Sequence, residues 1–314
     1  MSDMKHTLLL FAAAALTLAA CTNDNENLNA GPVAAQVTAG IGGAQTRVSG
    51  TTWTAGDAIG ISTTSSTLTQ YTNMKYTTTG DGSFTHAADK GGEASGIFFQ
   101  DTEEVTFRAY YPFDEDSNEN TLPGTDGVIS DVTTENQANQ SAFDFLFATG
   151  ATASKLSPTV SFNNDILAGT SFTHRMTRLV LNITTDANSG LSATDVQGGT
   201  YYLSGVKHSG TFNTQTGEAA ATEDPTNDWE ITATKAVANN TVTYSMIFYP
   251  QTNATLTFRA TIGGQDYTCT LTPALAAATS YTYNITVKKT ELTVSGCTIT
   301  EWGNGPSGSC DAEM

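Results

Sequence analysis

Carboxylates are the most frequent side chains in this sequence that could take part in chemistry. Two groups stand out, one within residues 101–104 and one at residues 114–116. Paired carboxylates can serve as the acid and base of a glycosidase, and carboxylate-rich loops can bind Ca²⁺. Neither group has the ligand order of an EF-hand loop. We therefore expect two solvated loops here, and a secreted hydrolase would be supported only by the abundance of acids.

The other reactive side chains are scattered. His6, His86, His174 and His208 lie far apart and lack the spacing of a metal site. The sequence contains no Gly-x-Ser-x-Gly turn, phosphate-binding loop or Cys-x-x-Cys pair. His174 lies at the start of a predicted strand, where a hydrogen-bonded structural histidine is expected. These patterns predict a protein that is not an enzyme and has no cofactor or metal.

Cys21 is the residue near the N-terminus with a clear chemical use. It ends an apolar run of about 13 residues, shorter than the roughly 20 that a membrane-spanning helix needs. Leu18-Ala19-Ala20-Cys21 resembles a bacterial lipobox, which implies cleavage before Cys21 and lipid on its sulfur and new amino group. Residues 1–20 are then a lipoprotein signal peptide, and lipid on Cys21 attaches the chain to the outer membrane. The alternative is an ordinary signal peptide with an incidental cysteine.

The charge of the chain excludes some partners. It has 31 Asp and Glu against 13 Lys and Arg, a net charge of −18. Nucleic acid and anionic lipid both require a cationic face, so neither is an expected partner. Only Cys269, Cys297 and Cys310 follow Cys21, too few and too uneven for a disulfide scaffold.

Alternating apolar and polar residues recur along the chain, separated by glycine-rich turns. Residues 242–248 alternate in this way, and Gly263-Gly264 joins two further alternating runs in a predicted hairpin. Many short strands with turns between them predict an all-β protein with two β-sandwich domains. We place the break near residues 186–191, which gives an N-terminal sandwich at 48–187, a C-terminal sandwich at 188–302 and a flexible tail at 303–314.

Residues 21–47 form a separate segment ahead of the first sandwich. Residues 22–29 are an acidic linker, which also resembles the surface-export signal of Bacteroidota lipoproteins. A strand with small side chains follows and ends at Gly42-Gly43. A strand in this place could be removed, leaving a groove that another chain fills by β-strand addition; the alternative is a fixed first strand. The residues that would face the core are Val33, Ala35, Val37, Ala39 and Ile41.

Four segments resemble the fimbrillins of Bacteroidales, the Mfa-like type V pilins and their relatives, in the family's order along the chain. They are TRVSGTTWTAGDAIGI (46–61), VTFRAYYP (105–112), SFTHRMTRLVLNI (171–183) and SYTYNITVKKTELTVSGCTITEW (280–302). The resemblance implies two tandem transthyretin-like β-sandwich domains in a surface lipoprotein. It also implies cutting by an arginine-specific protease after Arg47, before Val48, and donation of a strand by another fimbrial subunit.

The C-terminus departs from the family's stalk subunits, which donate a C-terminal strand. GNGPSGSCDAEM follows Trp302 and is poor in apolar residues. A tip, anchor or accessory role is therefore as consistent with the sequence as a stalk role. A monomeric lipid-anchored adhesin or glycan-binding protein is the alternative function, with a host or bacterial surface ligand. Trp229 would be its sugar-stacking residue, because Trp53 and Trp302 lie in strand contexts and are expected in the core.

Overall fold

The computed structural model confirms the all-β fold class. It describes residues 31–42, 52–66, 68–87, 96–118, 120–124, 126–163, 170–252, 254–288 and 291–302. The described residues from 32 to 302 belong to one compact unit. In the part of the chain that is described, no helix is long and apolar enough to cross a membrane.

The strands before residue 176 are short, and many end at glycine or polar turns. They are β1 (Val33–Ala34), β2 (Gln36–Ala39), β3 (Ala58–Ser65), β4 (Met74–Thr78), β5 (Ser83–His86), β6 (Phe98–Phe99), β7 (Val105–Tyr111), β8 (Val128–Ile129), β9 (Leu146–Ala153), β10 (Thr159–Phe162) and β11 (Thr173–His174).

The remaining strands are longer on average. They are β12 (Thr177–Thr185), β13 (Thr200–Ser204), β14 (Gly210–Asn213), β15 (Ala219–Ala221), β16 (Trp229–Glu230), β17 (Ala236–Ala238), β18 (Thr241–Phe248), β19 (Leu256–Ile262), β20 (Gln265–Leu271), β21 (Thr279–Val287) and β22 (Leu292–Glu301). The helix α1 (Ala193–Gln197) and a 3₁₀ segment, Gln137–Ala142, complete the described elements.

One eight-stranded sheet contains most of the first half, in the order β10-β2-β5-β4-β3-β7-β9-β11. A five-stranded sheet, β17-β18-β12-β21-β22, and a four-stranded sheet, β16-β13-β19-β20, contain most of the second half. β8 pairs with β14, which is some 80 residues further along the chain, so one small sheet joins residues from both halves. The glycine-pair hairpin between β19 and β20 is confirmed, with Gly263 and Gly264 at φ of 59° and 79°.

The predicted division into sandwiches at residues 48–187 and 188–302 stays a prediction, but one strand lies on the other side of it. β12 pairs with β18 and β21 along nearly its whole length and so belongs to the sheet of the second half. The turn residues after Asp186 suggested a boundary there, whereas they only end β12. The pairing of β12 favours a boundary before Thr177.

Three buried apolar clusters form the core. The first lies within the eight-stranded sheet and includes Val37, Trp53 and Phe172. The second fills the space between the two sheets of the second half. The third contains residues from both halves, including Phe145, Phe212 and Trp302. Trp53 and Trp302 are therefore core residues, as expected from the sequence.

The 3₁₀ segment completes the edge of β18. β17 pairs with β18 only as far as Thr243, which leaves the backbone groups of Ser245 and Ile247 on that side without a strand partner. The Gln137 side chain accepts a hydrogen bond from Ile247 N at 2.9 Å and donates one to Ile247 O at 2.8 Å. Gln140 donates to Ser245 O at 2.7 Å. Two side-chain amides thus take the place of a strand.

Candidate functional site

The predicted removable strand is divided in two: β1 pairs with β6 in a separate two-stranded sheet, and β2 lies inside the eight-stranded sheet. β2 pairs in parallel with β10, residue 37 opposite Val160, and antiparallel with β5, residue 37 opposite Phe84. Because β10 is at the end of this sheet, β2 is its only ladder partner among the described strands. Removal of β2 would therefore open a slot between β5 and β10; we call this the β5–β10 slot.

Backbone hydrogen bonds hold both sides of the segment. Toward β5, Ala39 N donates to Gly82 O at 2.8 Å, and next to β6, Ala35 N donates to Ile97 O at 2.9 Å. Toward β10, Gly40 N donates to Phe162 O at 3.0 Å. Gly42 N also donates to Phe172 O at 2.8 Å. The segment is therefore hydrogen-bonded on both sides, and whatever replaces it must form bonds on both sides.

The side chains of the segment bury little volume. Val37 and Ala39 are 3% and 1% exposed and belong to the first core cluster, whereas Ala35 and Ile41 pack against its margin. Val33 is half-buried. Burial of a valine side chain stabilises by ~1.5–3 kcal/mol, and an alanine contributes less. A strand with larger apolar residues in these positions would bind more tightly.

Trp53 bonds to the segment directly, which the sequence did not indicate. Its indole Nε1 donates to Ala39 O at 2.7 Å, a buried hydrogen bond. Its ring packs edge-on against Phe84, Tyr111 and Phe172 at centroid distances of 5.2 to 5.5 Å. Trp53 therefore stands at one end of the slot and presents a donor that needs a backbone carbonyl.

The processing and lipidation residues lie outside the described part of the chain. Cys21, Arg47 and Val48 are all in this category, as is the tail at 303–314. The described chain stops at Gly42 and resumes at Thr52. Ile41, next to the gap, forms a parallel bridge with Phe172. Cleavage at Arg47 therefore stays a prediction.

The two acidic loops, 101–104 and 114–116, lie at the surface. Residues 101–104 are exposed or half-buried, and Glu115 pairs with Lys75 at 2.8 Å. Within the described ranges, no three His, Cys, Asp or Glu side chains come together as metal ligands would. His174 is buried, with its Nδ1 2.8 Å from the carboxylate of Asp144 and its ring stacked on Trp302 at 4.0 Å. It is the structural histidine that the sequence predicts.

Trp229 and Cys269 are both partly covered by neighbours. The Trp229 ring lies 4.6 Å from the His208 ring and 6.0 Å from Phe248. Trp229 therefore takes part in packing, and because the residue is half-buried, only part of its surface is accessible for stacking on a sugar. Cys269 is half-buried, and burial raises the pKa of its thiol to about 11, which keeps it protonated and unreactive at neutral pH.

His208 is a second buried histidine, which the sequence did not single out. Thr134 Oγ1 donates to the His208 backbone carbonyl at 3.3 Å and lies 3.1 Å from Nδ1. Nε2 is buried and has no hydrogen-bond partner among the described residues.

Loss of stability on mild acidification is the expected consequence. Burial lowers the pKa of His208, and Glu135 and Glu223 only partly oppose this shift. Below about pH 6.5 the unfolded chain therefore binds a proton at His208 that the folded chain does not bind. The free energy of unfolding is highest above that pH and decreases as the pH falls below it. The loss should not exceed about 1.4 kcal/mol per pH unit for this one group. Urea denaturation between pH 7.5 and 5 measures it. His208→Asn should flatten the profile relative to the parent, and a slope equal to that of the parent would contradict the assignment.

The comparisons with known proteins agree with this architecture. Residues 46–302 match the family model described as fimbrillin-like. A relative from Bacteroides uniformis, named "Putative fimbrium subunit Fim1C", is 31% identical over 98% of this chain and 99% of its own length. A solved structure from Bacteroides uniformis, titled as a "putative cell adhesion protein", is 29% identical, with a TM-score of 0.65 over 87% of this chain and 100% of that one.

A second solved structure shows the same fold. It bears the same title, comes from Bacteroides ovatus, and is 24% identical, with a TM-score of 0.70 over 88% of this chain and 100% of that one. At this identity the likeness concerns the fold alone. The family match and the relative together cover almost the whole chain. The chain therefore belongs to the fimbrillin-like family.

Proposed function

We propose that this chain is a structural or accessory subunit of a surface fimbria that supports adhesion. Membership of the fimbrillin-like family and the relative named as a fimbrium subunit support this proposal. Both favour a structural role over catalysis. Lipid on Cys21 would attach the precursor to the outer membrane, and the processed chain would reside in the fimbrium with other fimbrial subunits as partners.

Assembly in this proposal proceeds by strand exchange. An arginine-specific protease cuts between Arg47 and Val48, the segment at 33–42 leaves, and a strand from another subunit enters the β5–β10 slot. The observation that carries the proposal is the position of β2. It is bonded on both sides, yet it buries only Val37 and Ala39 deeply. Its replacement can therefore conserve every ladder bond while gaining apolar burial, and needs no external energy source.

The test uses the lipid-free precursor beginning after Cys21. Treatment with an arginine-specific protease should release a chain that begins at Val48 and forms ladders on gels run without boiling. Arg47→Lys should resist this protease and remain monomeric, because the bond no longer follows arginine. A lysine-specific protease should then restore cutting and assembly of the variant. Ladders from uncut Arg47→Lys protein, or a cut chain that keeps residues 33–42 bound, would refute strand exchange.

A further inference from the structure

Arg178 is a buried cation for which the described chain supplies no partner. It lies on β12 and is 9% exposed. Its Nε is fully buried and makes no hydrogen bond, and no carboxylate within the described ranges forms an ion pair with it. Asp144 is close enough to favour the charged form, although burial has the larger effect and lowers the pKa of Arg178. The guanidinium nonetheless stays charged at neutral pH.

Such a residue is costly unless something satisfies it. Removing a guanidinium from water without a counter-ion destabilises a fold, and a buried charge is usually paired. Arg259, by contrast, pairs with Asp228 at 2.7 Å and lies over the Tyr202 ring at 3.8 Å. Arg175 also has a buried Nε without a hydrogen bond, but its guanidinium lies over the Phe147 ring at 5.2 Å. Arg178 is thus a buried cation that could form an ion pair with an anionic ligand.

A pocket lies beside Arg178 on the outer face of the five-stranded sheet. On β12, Leu179 and Leu181 point into the core, so Arg178 and Val180 point to the opposite face. The 3₁₀ segment covers one side of this face and supplies Gln137 and Gln140. The pocket has a volume of about 300 Å³, and its polar lining includes Gln137, Gln140, Thr234, Thr243 and Ser245.

The lining restricts the class of ligand. A planar guanidinium binds a carboxylate with two parallel hydrogen bonds. The Gln137 amide is already fully bonded within the protein. The hydroxyls of Thr234 and Ser245 and the Oε1 of Gln140 have no hydrogen bond among the described residues and are left for the hydroxyl groups of a ligand. Val180 and Ala236 offer a small apolar floor. The volume is at the lower end of the ~300–1,000 Å³ range of ligand pockets, which is the scale of one sugar ring.

We propose that this pocket, the Arg178 pocket, binds the carboxylate of a small hydroxylated acid of the hexuronate type. Because the chain has a net charge of −18, most of its surface repels anions. The positive charge of Arg178 therefore favours binding of an anion at this pocket. This proposal does not depend on strand exchange or on processing at Arg47, and it concerns residues in a different sheet.

Calorimetry and thermal denaturation of the full mature chain test the proposal, with glucuronate, acetate and glucose as probes. Glucuronate should bind in a saturable way and raise Tm by a few degrees, since a ligand that binds only the folded state stabilises it. Acetate should bind more weakly through the same cation. Glucose, which lacks the carboxylate, should have no effect.

The variants separate a ligand-binding role from a structural one. Arg178→Met should weaken glucuronate binding by about tenfold or more, because both charge-assisted bonds are lost. It should leave Tm without ligand unchanged or higher, because a hydrophobic side chain replaces an unpaired charge. Arg259→Lys, the control, should bind as the parent does. The proposal is overturned if Arg178→Met retains binding, if the parent binds no carboxylate, or if Arg178→Met fails to fold or melts lower, since Arg178 would then be structural.

Discussion

A protein that begins at Val48, with its first strand absent, should melt at a much lower temperature than the intact mature chain. It loses the burial of Val37 and Ala39 and all backbone bonds from β2 to β5 and β10. It also leaves the Trp53 indole N–H without its acceptor, which costs about 1–3 kcal/mol. Together these losses amount to several kcal/mol, a large part of the ~5–15 kcal/mol that stabilises a typical domain.

Calorimetry and hydrogen exchange would measure this effect and locate it. Amides of β10 should lose protection most, since β2 is the ladder partner of that strand, whereas amides of β19 and β20 should be unaffected. A peptide of residues 32–42 added in trans should restore both Tm and protection. The same peptide with Val37→Asp should restore neither, because an aspartate would be buried in the core. An unchanged Tm for the shortened protein would show that the segment contributes nothing to the fold.

Replacement of Gln137 by methionine should destabilise the chain by about 3 kcal/mol or more. The Gln137 amide bonds to three buried backbone groups, the carbonyl of Thr134 at 2.7 Å and both the N–H and carbonyl of Ile247. Methionine has a similar shape but cannot bond to any of them, and each orphaned group costs about 1–3 kcal/mol. The same change would free the edge of β18 beyond β17.

Urea denaturation of the parent and variant measures the difference. Gln265→Met is the matched control, because Gln265 is exposed at the start of β20 and should tolerate the change within about 0.5 kcal/mol. Gln140→Met should give an intermediate loss, since Gln140 bonds to Ser245 O and to Gln137 itself. A loss below 1 kcal/mol for Gln137→Met would mean that water replaces the amide at little cost.

Local patterns in the sequence were sufficient to predict several of the strands and one hairpin. The alternation in residues 242–248 predicts β18, because side chains of a strand point to opposite faces in turn. The glycine pair predicts the turn after β19, because glycine readily adopts the positive φ that the turn requires. The alternation of the first strand likewise predicted which of its residues point inward. α1 was missed because five residues are too few to show a helical period, although Ser192 and Asp195 form a capping box that could have indicated it.

Long-range pairings could not be predicted from the same patterns. β2 lies beside β10, which is more than 100 residues away, and nothing in either segment specifies the other. The role of Gln137 depends on the short strand β17, about 100 residues further along the chain, whose pairing with β18 stops at Thr243. The charge of Arg178 is visible in the sequence, but its burial and lack of a partner are properties of the fold.

The slot places no restriction of its own on which way a filament grows. β5 and β10 run in opposite directions, since β2 is antiparallel to the first and parallel to the second. An incoming strand of either polarity would form one antiparallel and one parallel ladder, and the two choices differ little in hydrogen-bond number.

Side-chain contacts must therefore determine the direction in which the incoming strand lies in the slot, and with it the orientation of one subunit relative to the next. Trp53 marks one end of the slot by requiring a carbonyl there, and the sites of Val37 and Ala39 mark the buried positions. In the proposed assembly, a head-to-tail filament depends on side-chain contacts that differ between the two ends of the slot. Loss of these contacts should yield subunit junctions of mixed orientation.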